Sequence, residues 1–379
     1  MIPRPSFTMG IEEEYLLVDR DTRDLIQTSP DALLGELEGE LGSQISTEFL
    51  QSQVEVGTKI CSTAGEARAD LARLRRGVSQ AAERHGFGMI AASTHPFARW
   101  GEQRRTENLR YQQLADDLQG VIRRLVICGM HIHICIEDPD LRIDLMNQIS
   151  YFLPHILALS TSSPFWEGRD TGLASYRLSV FDTLPRTGLP TVFDNWSEYE
   201  RHVNILVQTG VIEDATKIWW DIRPSARYPT LEMRICDVAT SIDDAIAIAA
   251  LLQSLLHMLY RLRLGNQRWR QYSGMLIQEN RWRAQRYGID EGLIDFGKRE
   301  MHPYAALLEE MVELVREDAE ELGCTTELAH VHTILERGTS AHRQRRVLGA
   351  AIETGKSREE ALKAVVDDLI EASGANLSP

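Results

Sequence analysis

The run Gly10-Ile11-Glu12-Glu13-Glu14-Tyr15 sets three acids inside a segment that is otherwise apolar. Ile11, Tyr15, Leu17 and Val18 favour extended backbone, and Gly10 marks the start of a strand. Side chains two apart on a strand share a face, so Glu12 and Glu14 point together and Glu13 points away. Two carboxylates roughly 6–7 Å apart repel by about 2–3 kcal/mol at an effective dielectric of about 20. Either both reach water on an edge strand, or a hard cation sits between them.

Three later segments repeat this logic. In Leu125 to Glu137 the positions Val126, Met130, Ile132, Ile134 and Ile136 define a core face, leaving Gly129, His131, His133 and Cys135 on the other. A His-x-His pair on a strand puts both imidazoles on one side, as metal or substrate ligands or as satisfied core or surface histidines. The glycine beside the pair admits a ligand or another chain. In Thr230 to Asp237, Leu231, Met233 and Ile235 face the core while Glu232 and Arg234 share the opposite side. The latter two suit a cross-strand salt bridge, or a metal carboxylate beside a guanidinium that holds phosphate or carboxylate. Thr47 to Gly57 reads as one further strand, with Glu55 between Val54 and Val56 on its polar face. Glu48 has the opposite parity, so a regular strand sets it beside Glu55 only with a bulge or bend.

Glu12, Glu14, Glu55, His131 and Glu232, with Glu48 a lesser candidate, make oxygen-rich sites with one nitrogen. Such donors favour Mg²⁺ or Mn²⁺ over a structural zinc, which takes thiolates or several histidines. Ions of this kind commonly hold a nucleotide's phosphates. Arg177, Arg223 and His133 are candidates for holding substrate or phosphate, against a structural or solvated role for each arginine. Common nucleotide motifs fail: Gly355-Lys356-Ser357 ends like a phosphate loop, but Ala350 replaces its first glycine and a helical stretch precedes it.

These side chains need a scaffold, and the chain of 379 residues is long enough to bury a large core. A hydrophobic content of 43% and a charged content of 26% are those of a soluble globular protein. The net charge of −15 argues against a nucleic-acid surface, so an anionic substrate needs arginines or a divalent ion. Five cysteines without a CxxC pair indicate free thiols in a reducing cytoplasm. Early charges interrupt any signal peptide, and Ala245 to Tyr260, with Gln253, Ser254 and His257, reads as a core helix, so no membrane partner is expected.

Periodicity places a helix after Thr63, a strand over Phe87 to Ala92, helices over Leu109 to Arg124 and Asp144 to Leu159, and a breaker-rich loop from Pro164 to Pro190. It also gives a Ser197-capped helix, strands near Trp219 and Thr230, and a long helix from Ser241. The expectation is one α+β domain over residues 1–372, its sheet largely antiparallel, helical from about residue 303, with a frayed tail over 373–379. The basic segment from Arg261 to Arg286 reads as a salt-bridged helix face or part of a nucleotide cleft.

Taken together, Gly10-Ile11-Glu12-Glu13-Glu14-Tyr15, Gly129-Met130-His131-Ile132-His133 and Leu231-Glu232-Met233-Arg234 occur in this order at wide spacing. With Ser163-Pro164-Phe165-Trp166 and Leu184-Pro185-Arg186-Thr187-Gly188-Leu189-Pro190, the set resembles the type 2 glutamate–cysteine ligases, or carboxylate–amine ligases, from about Met9 to about Arg346. The histidine and Glu-x-Arg motifs are also similar to those of glutamine synthetase.

The resemblance implies a glutamine-synthetase-like catalytic domain: a curved antiparallel sheet with helices on its convex side, and a concave face holding ATP, divalent ions and an amino acid. It further implies that Glu12, Glu14, Glu55, His131 and Glu232 bind metal, with Glu48 a lesser ligand, that Arg234 contacts the transferred phosphoryl group, and that the chain can form a homodimer. The implied reaction joins the γ-carboxylate of glutamate to cysteine or a similar amine through an acyl phosphate; no pocket for a cysteine side chain is legible. Alternatives are a ligase of the same mechanism for another carboxylate–amine pair, a metallohydrolase using His131, His133 and the acids to activate water, and a binding protein with a vestigial site.

Overall fold

The computed structural model describes residues 3–106, 118–119 and 124–378. Seven strands form its main sheet: β1 (Met9–Asp19), β2 (Ile45–Thr47), β3 (Gln53–Gly57), β4 (Phe87–Ile90), β5 (Met130–Cys135), β6 (Ile222–Pro224) and β7 (Thr230–Met233). Their order is β6-β7-β5-β1-β3-β2, and every pairing is antiparallel. The first half of β1 lies between β5 and β3, and its second half pairs with β4. A long strand shared by three partners thus fixes the register of the rest.

Alternation along β1 separates two environments. Met9, Ile11, Glu13 and Tyr15 are buried, while Gly10, Glu12 and Glu14 are partly open. The buried side meets α2, the second helix in the chain (α1 is Asp31–Leu41, α2 Ala64–Arg84). Thr63 caps α2 by accepting the Glu66 N–H at 3.1 Å, and the Glu66 carboxylate accepts the Ser62 N–H at 2.8 Å. Two more helices, α3 (Pro139–Ile149) and α4 (Leu153–Ser160), precede α5 (Ile242–Leu264), which packs against α2, α3 and α4. By length and composition α5 could cross a membrane, but 89% of its apolar window is buried inside the fold, which makes it a core helix. Among the described residues, the part of the chain beyond Pro303 is helical, ending in α6 (Arg358–Ser373), which covers β4.

Glu13, which points away from its two neighbours, enters this core as an ion. Arg75 of α2 grips it with Nε to Oε2 at 2.8 Å and Nη2 to Oε1 at 2.7 Å, and the Tyr15 hydroxyl donates to Oε2 at 2.6 Å. The same guanidinium donates to the Ala239 and Thr240 carbonyls at 2.7 and 2.8 Å, just before α5. Glu13 and Arg75 are both fully buried. One cation therefore ties β1, α2 and the entrance to α5 together.

Several expectations need correction. Thr47 to Gly57 is not one strand: β2 ends at Thr47, the chain turns, and β3 returns beside it. Asp31–Leu41 is a helix, with Leu33, Leu37 and Leu41 as a buried stripe at a spacing of four. The Asp144 to Leu159 helix is two helices broken by a tight turn over Ser150–Phe152. Asn195, not Ser197, caps Trp196–Gln208. Strand β7 stops at Met233 because the Arg234 and Ile235 amides both converge on the Asp221 carbonyl, at 2.8 and 3.1 Å, as in a bulge. The Leu109 to Arg124 helix lies almost wholly outside the described residues. At the chain's end Leu377 is buried, and Arg68 donates to the Asn376 and Ser378 carbonyls at 3.1 and 3.2 Å.

His95 makes the fold sensitive to acid. Its Nδ1 accepts the Phe97 and Ala98 amides at 3.2 and 2.9 Å, and its Nε2 donates to the Arg23 carbonyl at 2.9 Å. Only the neutral ring satisfies all three, and burial lowers its pKa from 6.5 to about 4. The unfolded chain therefore binds a proton that the folded one refuses, and stability falls as pH drops through that window. Replacement by glutamine should cost about 2 kcal/mol less at pH 5 than at pH 7 in urea denaturation; an equal cost at both would refute the assignment.

Candidate active site

The register of the sheet brings the predicted side chains together in three rows. Arg223, Glu232, His133 and Gly10 lie side by side across β6, β7, β5 and β1. The next row is His131, Glu12 and Gly57, and the third is Glu14, Glu55 and Ser46. Because side chains alternate along each strand, all of these point to the face opposite α2. All but Gly10 and Gly57 line a cleft of about 570 Å³, together with Glu48, Thr216, Lys217, Trp219, Arg227, Tyr228 and Arg234.

Among the described residues, three overlapping groups each bring their donor atoms within 4.8 Å of one another: Glu12, Glu55 and His131; Glu12, His133 and Glu232; and Glu14, Glu48 and Glu55. Glu48 joins the third group because the turn after β2 sets it beside Glu55, which a single strand cannot do. His133 lies in the second of these groups, with Glu12 and Glu232. Arg177 lies at the floor, lining a smaller hollow of about 90 Å³ with Glu14, Glu48, His131 and Arg234.

The charges in this cleft are poorly balanced. Burial, then the charges of Glu48, Glu12 and Glu14, raises the pKa of Glu55 well above the usual carboxylate value. Burial and the Glu14 charge push Glu48 up to about 7. Burial opposes ionisation of Glu12 too, but the His131 and His133 imidazoles that face it outweigh burial and hold its carboxyl well below the usual range. Burial, with the Arg234 charge, lowers the pKa of His131, so at neutral pH its contact with Glu12 is a hydrogen bond from a neutral ring, 3.3 Å long. The tautomer donating Nδ1–H to Glu12 leaves a lone pair on His131 Nε2, a buried atom with no hydrogen-bond partner; His133 Nε2 is buried without one as well, its Nδ1 lying 2.9 Å from Thr230 Oγ1. Crowded carboxylates that resist ionisation, beside unpartnered imidazole nitrogens, fit divalent ions.

Glu232 is held from two sides. Arg223 donates through Nε and Nη2 at 2.9 and 3.0 Å, and Arg234 Nη1 makes a short contact with Oε1. The two arginines outweigh burial and depress the pKa of Glu232. Arg234 Nε is buried without a partner, so this guanidinium keeps a donor for a ligand. The basic segment behaves differently: Arg281 is buried on Asp221 and Asp182, Arg263 and Arg268 pair with Asp144, and none of its arginines lines this cleft.

Gly129 is needed, but for a protein group rather than a ligand. A Cβ there would lie 2.5 Å from Arg177 Nη2, while Arg177 Nη1 donates to the Arg234 carbonyl at 3.2 Å. The Gly129 N–H also donates to Glu14 Oε2 at 2.7 Å. Gly129→Ala should destabilise the fold by about 1–3 kcal/mol, seen as a lower urea midpoint; a shift under about 0.5 kcal/mol would mean that Arg177 moves away freely. Sequence reasoning missed Ser46, Lys217, Trp219, Arg227 and Tyr228, which line the cleft from short strands and loops that carry no strong period.

An antiparallel sheet with one face packed on helices and the other raising acids, histidines and arginine into a cleft makes this an α+β domain with the lining of a catalytic site. The same fold occurs in a bifunctional glutathione synthetase from Pasteurella multocida, 15% identical with a TM-score of 0.70 over 97% of this chain and 52% of that one. It occurs as well in a glutamate–cysteine ligase from Francisella tularensis in complex with AMP, 13% identical with a TM-score of 0.66 over 98% of this chain and 90% of that one. The profile of glutamate-cysteine ligase family 2 (GCS2) matches residues 8–368, and the chain belongs to this family. Relatives provisionally named glutamate–cysteine ligase 2 are 58% identical in Rhodospirillum rubrum and 55% identical in Ruegeria pomeroyi. These alignments cover 98% and 99% of this chain and 97% of each relative. The chain is thus an enzyme of the carboxylate–amine ligase class.

Proposed function

We propose that the protein is an ATP-dependent, cytoplasmic ligase that activates the γ-carboxylate of glutamate as an acyl phosphate and joins it to the amine of cysteine or a close analogue. What carries the reading is the convergence of Glu12, Glu14, Glu48, Glu55, Glu232, His131 and His133 on one cleft beside Arg234.

The reaction sets a carboxylate against a triphosphate, two anions that repel. In the first step a carboxylate oxygen forms a bond to the γ-phosphorus and the bond to the β-phosphate oxygen breaks, releasing ADP. In the second the amine nitrogen attacks the acyl carbon, inorganic phosphate leaves with the carbon–oxygen electron pair, and the nitrogen loses a proton. Mg²⁺, which the two carboxylate–imidazole groups and the all-carboxylate group would hold, would supply charge neutralisation on the phosphates. Arg223 keeps Glu232 ionised and oriented, which leaves the unpartnered edge of Arg234 for charge on the transferring group.

Purified protein with Mg²⁺ and ATP, screened for ADP release across amino-acid pairs, tests this. Release that requires both glutamate and cysteine is the expected result. Release with a different pair replaces the substrates and keeps the mechanism, whereas hydrolysis without ATP removes the ligase reading.

A further inference from the structure

The cleft wall that carries no acid is built from residues 216–219, and its backbone is held in an unusual way. Three successive carbonyls each accept from a guanidinium. Arg223 Nη1 donates to Thr216 O at 3.0 Å and makes a short contact with Ile218 O, while Arg186 Nε donates to Lys217 O at 2.8 Å. Arg186 comes from Leu184–Pro190, one of the segments that carry the family resemblance. It adopts a left-handed conformation, φ 59°, that a residue with a side chain keeps only when its surroundings impose it. They do so here: the Trp219 N–H donates to Arg186 O at 2.9 Å, the Asp221 N–H to Gly188 O at 2.8 Å, and the guanidinium lies 5.5 Å from the Trp219 ring centroid.

What this clamp presents to the cleft is Lys217. Its side chain is only 9% exposed, yet among the described residues the ion pair that it makes is with Glu213 Oε2 at 3.5 Å, and Glu213 is itself 58% exposed. A pair so long and so open to water contributes little. An ammonium carries three donors and is costly to bury unless they are met. Arg223, on the same wall, is by contrast bound on both edges, to Glu232 and to the clamp.

We infer that Lys217 is a substrate-binding residue whose ammonium takes an oxyanion of a substrate in the cleft, either a nucleotide phosphate or an amino-acid carboxylate. The clamp reaches Glu232 through Arg223, so the lysine is held at a fixed place relative to the candidate metal ligands. This rests on the ligase reading.

The test is calorimetric titration, in Mg²⁺, of ADP and separately of L-glutamate into wild type, Lys217→Met, Lys217→Arg and Glu213→Gln. Lys217→Met should weaken one of the two by about 10- to 100-fold and the other by less than about 3-fold. Lys217→Arg should restore most of the loss, and Glu213→Gln should bind as wild type does. Loss of ADP assigns the phosphate; loss of glutamate assigns the carboxylate. The inference falls if ADP binds Lys217→Met unchanged and glutamate affinity is likewise unchanged, or absent already in wild type. It falls too if both ligands are lost without rescue by arginine, or if Glu213→Gln loses binding as Lys217→Met does, since the lysine is then structural. Wild type that binds neither ligand refutes the ligase reading itself.

Discussion

Glu12→Gln is expected to lower ligase turnover by at least about 10³-fold while leaving the protein folded. Glu12 belongs to two of the three donor groups, so one neutralised carboxylate weakens both places where a divalent ion fits. The change is nearly isosteric, and the carboxylate's distances to its two imidazole partners are already long: 3.3 Å to His131 and 3.5 Å to His133. Its side chain is 35% exposed, so the amide stays partly in water. The thermal midpoint should fall by no more than a few degrees. Glu232→Gln is a poorer probe, because it strips two buried guanidiniums of their carboxylate and mixes a folding defect with a catalytic one. Steady-state kinetics with a parallel melting curve decide the point. Retention of more than a tenth of wild-type turnover would remove Glu12 from the reaction.

The face that carries this chemistry was legible for a simple reason. Strand periodicity is two; in β5 and β7 apolar residues occupy one parity throughout, and over the motif in β1 only Glu13 breaks it, so the remaining acids and the histidines had to share the other. Glu48 was harder. Its parity excluded it only under the assumption that Thr47 to Gly57 runs straight, and nothing in that stretch, free of glycine until Gly57 and of proline throughout, announces the turn between β2 and β3. The role of Glu13 was hidden for a different reason. The sequence shows that it points away from its neighbours, but its partner Arg75 is 62 positions distant, and local pattern does not reveal long-range ion pairs. Lys217 and the clamp around it were hidden likewise, since their positions depend on irregular backbone rather than on a repeat.

Arg75→Met should be the most damaging single change to the fold, at about 3–5 kcal/mol, because it leaves the Glu13 carboxylate without its counter-ion where no water reaches. The wild-type pair is not itself a large source of stability: desolvating two ions offsets most of their attraction, and apolar replacements of similar shape often do as well. The double variant Glu13→Leu with Arg75→Met should therefore be more stable than Arg75→Met alone. It should still fall short of wild type, since the Ala239 and Thr240 carbonyls and the Tyr15 hydroxyl lose their partners, at about 1–3 kcal/mol for each group left unsatisfied. Urea denaturation of wild type, both single variants and the double variant gives the coupling directly, provided the slope with denaturant is unchanged. A double variant less stable than Arg75→Met would mean that the guanidinium acts chiefly by filling space between β1 and α2. An Arg75→Met cost below about 1 kcal/mol would mean that Glu13 takes up a proton at little expense. Neither outcome would touch the cleft on the other face, because alternation along β1 keeps the ion pair of the core and the carboxylates of the site on opposite sides of the same strand.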